Sequence, residues 1–126
     1  MQLNPLQHEF TKYVSQLIQF MYDEGYSCSF GDAARYDCKG HTYYSWHYVG
    51  LAVDLNLFKD GHYLTTTNDH RKFGDFWKSR SPFCTWGGDF SDGNHYSYGE
   101  SANLTVYAGI KNKIRQMHQN STIKED

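Results

Sequence analysis

Val49-Gly50-Leu51-Ala52-Val53-Asp54-Leu55-Asn56-Leu57-Phe58-Lys59-Asp60-Gly61-His62-Tyr63-Leu64 is the stretch from which the fold reads outward. From Val49 to Phe58 apolar residues alternate with small or polar ones, the period of a strand with one face against a core. Lys59-Asp60-Gly61 then carries a hairpin signal, and His62-Tyr63-Leu64 is the returning strand. Upstream, Asn4 followed by Pro5 reads as a helix start, a capping side chain and then proline at the first helical position. Leu6, Phe10, Tyr13, Val14, Leu17, Ile18 and Met21 recur at helical spacing, and Gly25 stands where a C-terminal cap belongs. Tyr26 to Phe30 is a short strand, and residues 31–44 are a polar, turn-rich loop.

Downstream, Asn68 or Asp69 is expected to cap a second helix carrying Phe73, Phe76 and Trp77 as far as Arg80, with Pro82 just beyond. Gly87-Gly88 marks a place where backbone turns or approaches a neighbour closely, and Asn94 to Tyr98 is one more strand. Leu104, Tyr107, Ile110, Ile114 and Met117 space a last helix, with a frayed tail from about Asn120. The expected fold class is α+β, a small and largely antiparallel sheet flanked by helices, in a single domain over residues 1–126.

A chain of 126 residues that is 39% hydrophobic and 17% aromatic is globular in composition and too short for two well-packed cores. A net charge of −2, with lysines and arginines scattered, excludes the electrostatic footprint of a nucleic-acid binder. Cys28, Cys38 and Cys84 form neither an even set nor a CxxC pair, so free thiols are expected. No basic and apolar leader occurs in Met1 to Phe10, and no apolar run is long enough to span a bilayer. The expectation is a chain made in the cytoplasm as a monomer.

Two clusters carry chemistry. His47 and Asp54 flank a turn at Gly50, and Asp92-Gly93-Asn94-His95 sets a carboxylate three residues before a histidine. Two histidines and an aspartate are suitable zinc ligands that leave a fourth position open, and a further carboxylate can take a proton beside them. Spacing alone does not bring these residues to one point. His8, His41, His62, His70 and His118 have no comparable context.

The pattern Ser-x-His-x-x-Gly-x-Ala-x-Asp is filled by Ser45, His47, Gly50, Ala52 and Asp54. It is followed by Trp86-Gly87-Gly88-Asp89-Phe90 and by Asp92-Gly93-Asn94-His95-Tyr96. Together these resemble the M15 metallopeptidases, the group of D-alanyl-D-alanine peptidases and phage L-alanyl-D-glutamate endopeptidases, over roughly Phe30 to Ser97. The resemblance implies a Hedgehog/DD-peptidase-like fold and one zinc ion on His47, Asp54 and His95, with Asp92 as catalytic base. It also implies an arginine ahead of the first histidine, for which Arg35 is the candidate, aimed at the substrate carbonyl or carboxylate. Ser45 and Trp86 are candidate groove residues, with packing as the other reading of each. The implied substrate is the peptidoglycan stem peptide, reached from the host cytoplasm after holin-type release. A D-alanyl-D-alanine carboxypeptidase on the same site and a non-catalytic, metal-bearing wall-binding domain are the alternatives.

Overall fold

The computed structural model describes residues 3–99 and 104–125. The first helix, α1, runs Leu3–Asp23 and buries Leu6, Phe10, Val14, Leu17 and Met21 in one stripe at helical spacing. It begins one residue before Asn4, so Asn4 does not cap it, and Pro5 lies in the first turn, where a missing N–H costs nothing. At its end the Tyr26 N–H donates to Met21 O at 2.9 Å and the Gly25 N–H to Tyr22 O at 3.1 Å, closing a Schellman cap.

Strand β1 (Ser27–Phe30) pairs antiparallel with the long strand β2 (Ala52–Lys59), which turns back into β3 (His62–Leu64). Asp60 and Gly61 both have positive φ, 51° and 78°, as a two-residue turn of this hand requires. Thr66, rather than Asn68 or Asp69, then caps the chain. Its hydroxyl accepts the Asp69 N–H while the Asp69 carboxylate accepts the Thr66 N–H, around a 3-10 turn at Thr67–His70. Helix α2 follows at Arg71–Arg80, and β4 (Cys84–Trp86) is a strand whose three residues are too few to show a period. After β5 (His95–Tyr98), helix α3 runs Leu104–Glu125, past the expected fraying point, since residues 120–125 hold no glycine or proline to stop it. The side chains of Leu104 and Tyr107 lie outside those described.

The sheet is antiparallel and open, in the order β1-β2-β5-β4, with β3 also on β2. Strand β2 is its spine, because β1 and β3 pair with its second half and β5 with its first. Val53, Leu55 and Leu57 alternate onto one buried face with Tyr96, beneath Phe10, Phe73 and Trp77 of the helices. The Trp77 indole N–H reaches Thr85 O at 3.0 Å and Ser97 O at 3.1 Å, fastening α2 to β4 and β5. Asp54 and Asn56 alternate onto the opposite face, where the site lies.

Trp86 is fully buried. A Cβ on Gly74 or on Gly88 would come within 2.1 Å of its ring, so the two glycines flank the indole at backbone distance. Its N–H donates to Gly93 O at 2.7 Å. The tryptophan therefore sets the course of the turn between β4 and β5.

Candidate active site

His47 lies in a 3-10 turn at Trp46–Val49 that Ser45 caps, its hydroxyl accepting the His47 N–H at 3.1 Å. The preceding loop fixes the ring from behind. The Arg35 N–H donates to His47 O at 2.9 Å, and His47 Nδ1 lies 2.7 Å from Ala33 O. A carbonyl oxygen can only accept, so Nδ1 carries the hydrogen and the neutral ring keeps a lone pair on Nε2. That nitrogen stands 3.3 Å from Asp54 Oδ1.

Asp54 meets His95 through strand register. The two are directly opposed in the β2–β5 pair. The Asp54 backbone points the other way, its N–H donating to Asp32 O at 2.7 Å and its carbonyl accepting from the Gly31 N–H at 2.8 Å. Asp54 and His95 thus form a non-hydrogen-bonded pair, the kind whose side chains come closest. His95 Nδ1 is 3.4 Å from the same Asp54 Oδ1.

His47 Nε2 and Asp54 Oδ1 are both buried and neither has a hydrogen-bond partner. A buried lone pair facing a buried carboxylate oxygen is unfavourable unless a positive centre lies between them. An ionised carboxylate and a correctly tautomerised imidazole are what a divalent cation needs, so the donor set fits one.

His41 is a residue that sequence reasoning passed over. Its ligating atom and those of His47 and Asp54 lie within 4.8 Å of one another, so these three can hold a metal ion. Its ring stacks on His47 at 4.0 Å between centroids, 12° from parallel. A metal lies in the plane of each imidazole that binds it, and two stacked rings cannot share one without turning. The His47 and His95 rings stand at 67° with centroids 5.2 Å apart, an arrangement in which both planes can contain one ion. As placed, His41 with its Nε2 on Asp32 Oδ2 at 2.9 Å buttresses His47. No spacing rule would have found it, because the contact comes from the course of an irregular loop.

Asp92 stands beside this cluster, with Oδ2 4.0 Å from His95 Nδ1 and its side chain more than half exposed. The Asp92 N–H donates to Gly87 O at 2.9 Å, and the His95 N–H to Asp92 O at 3.2 Å. His47, Asp92 and His95 line an open groove of about 1110 Å³. Tyr44 and Trp46 contribute from one side of the sequence motif and Phe90, 56% exposed, from the other.

The remaining candidates separate. Ser45 lines the groove, although its hydroxyl is committed to the cap. Trp86 does not line it and belongs to the core, acting on the site through Gly93. The Arg35 guanidinium is held by Asp37 at 3.1 Å and Asp32 at 3.2 Å, which raise its pKa further, and it is not among the groove-lining residues. Cys28, Cys38 and Cys84 are free thiols. None of the described helices is long and apolar enough to cross a membrane.

Residues 39–98 match the profile of a peptidase M15 family described as D-alanyl-D-alanine carboxypeptidase, a span that runs from just ahead of His41 to the end of β5. The chain has no match among curated proteins or solved structures.

Proposed function

From the match of residues 39–98 to an M15 peptidase family, we propose that the chain is an M15 peptidase, a zinc-dependent peptidoglycan endopeptidase cutting the L-alanyl-D-glutamate bond of the stem peptide in the manner of a phage endolysin. The observation that carries the reading is the convergence of His47 Nε2 and Asp54 Oδ1, buried and without hydrogen-bond partners, on one point beside His95 and Asp92.

His47, Asp54 and His95 are the residues that would hold the ion. Zinc bound there supplies a Lewis acid and makes hydroxide available at neutral pH. Asp92, on the groove wall, takes the proton of the attacking water and returns it to the leaving amine. Its exposure lets it meet substrate and solvent, while the two ligand side chains behind it stay dry. Ala33 O and Ser45 keep the His47 ring and its turn in place as the substrate enters. Arg35 reaches the substrate carbonyl only by leaving Asp32 and Asp37, so in its present pairs it serves the loop.

The matched family's description favours a second reading, a carboxypeptidase releasing terminal D-alanine. Such an enzyme has a terminal carboxylate to recognise, and among the described groove residues there is no lysine or arginine. A groove open to solvent, with aromatic walls and Asp92 as its carboxylate among the described residues, suits a chain that runs through it. Purified peptidoglycan, incubated with the protein plus zinc or plus chelator, tests both. New D-glutamate amino termini that require metal support the endopeptidase; free D-alanine would transfer the assignment to the carboxypeptidase. No new ends from walls of several chemotypes would leave a metal-bearing wall-binding domain. In the endolysin reading the protein is made in the host cytoplasm and reaches the wall after holin-type release.

A further inference from the structure

Asp92 borders two cavities. Beyond the groove is a smaller pocket of about 180 Å³, walled by Asn56, Thr65, Thr67, His70 and Asn94. Asn56 follows Asp54 by two residues on β2, so both side chains stand on the same sheet face. Two residues of strand advance roughly 6.6 Å. A peptide lying extended along this face therefore passes from the metal cluster to the pocket within one or two of its own residues.

The chemistry of the pocket is narrow. Its walls offer amide and hydroxyl groups, and among the described residues no lysine or arginine lines it. Its one carboxylate is that of Asp92. His70 is 2% exposed with Nδ1 3.1 Å from the Tyr96 hydroxyl, and burial lowers its pKa, which keeps it neutral. An anion entering here meets a negative charge and no positive one, and a hydrocarbon strands the amides. Asn56 is poorly committed: its amide donates to Ser29 Oγ at 3.4 Å and its carbonyl accepts from the Tyr63 hydroxyl at 3.3 Å, both exposed and long. A ligand can displace either.

We propose that this pocket is a substrate subsite for the uncharged, hydroxyl- or amide-bearing group next to the bond that is cut. The proposal rests on the peptidase reading above. In a cell wall that chemistry has two sources, a sugar of the glycan strand and a carboxylate converted to its amide.

The test titrates the zinc-loaded protein, followed by NMR at the side-chain amides of Asn56 and Asn94, with three ligands whose scissile amide is N-methylated to prevent cleavage. These are a disaccharide-bearing stem peptide, the same peptide without sugar, and that peptide with its free carboxylates amidated. Both resonances are expected to shift with the first or the third ligand, whichever does so naming the source, and at least tenfold more weakly with the free acid. In kinetics on the cleavable forms, Asn56→Leu and Thr67→Val each raise KM for the preferred substrate about tenfold, the size of one lost hydrogen bond, with kcat and metal content unchanged. Equal shifts with the free acid, no shift with any ligand, or unchanged KM in both variants would overturn the assignment. A protein that binds in this manner yet cuts nothing would sink the peptidase reading and leave the subsite standing.

Discussion

Gly74→Ala sets helix propensity against packing, and the structure decides the sign. Alanine in a helix interior is favoured over glycine by about 1 kcal/mol, and Gly74 lies within α2. Its new Cβ, however, would stand 2.1, 2.4 and 2.5 Å from three carbons of the Trp86 ring, whereas carbon contacts are comfortable at about 3.5–4.0 Å. The indole must retreat by more than about 1 Å, and both exits are closed. Gly88 flanks the ring so closely that a Cβ on it would also stand 2.1 Å from the indole, and the indole N–H is held at 2.7 Å by Gly93 O. Overpacking of this kind costs about 3 kcal/mol, the top of its usual range, and a broken buried hydrogen bond adds about 1 more. Net of propensity, the variant loses about 3 kcal/mol, or roughly 10 °C in Tm for a domain of this size. Urea titration and thermal melting would read it directly. A Gly74→Ala protein as stable as wild type would refute the reasoning. A cycle with Trp86→Leu sharpens the test, because removing the indole should remove most of the alanine's cost.

Asp92→Asn should lower wall cleavage by about 10²–10⁴-fold, the usual weight of a general base, while zinc content by elemental analysis stays at wild-type level; loss of metal with activity would make Asp92 a ligand instead. Zinc at a hundredfold over its Kd should stabilise the fold by about 2.7 kcal/mol, seen as a Tm rise that chelator reverses and that Asp54→Ala lacks. His70 is buried with its pKa lowered, so the unfolded chain takes up that proton first as pH falls. Its contribution is complete above about pH 6.5, the unfolded value, and is lost below it toward the depressed folded value. The urea midpoint of wild type should therefore fall more steeply from pH 7.5 to 5.5 than that of His70→Gln.

Much of the frame was legible because its signals are local. Alternation in β2, the Asp60-Gly61 turn and the stripe of α1 each involve neighbours in sequence, and each element is found where these signals lie. His47, Asp54, Asp92 and His95 were nameable through a motif, and the fold brings them within a few ångströms. What escaped depends on contacts between distant segments. Trp86 looks like a groove residue beside two glycines until Gly74, on helix α2, is seen to close over it. Arg35 looks available until its loop turns back to Asp32 and Asp37. His41 acquires meaning only because a loop without a period lays it on His47.

Asp54 and His95 are far apart along the chain, and only the observed register of β2 with β5 sets them directly opposite each other. A slip of one residue would turn one of them to the helix face. An ion held between them would therefore act as a gauge of assembly, rewarding the correct alignment of two strands whose encounter is entropically the slow one. Metal supplied during refolding would then sort aligned sheets from misaligned ones before any substrate is met.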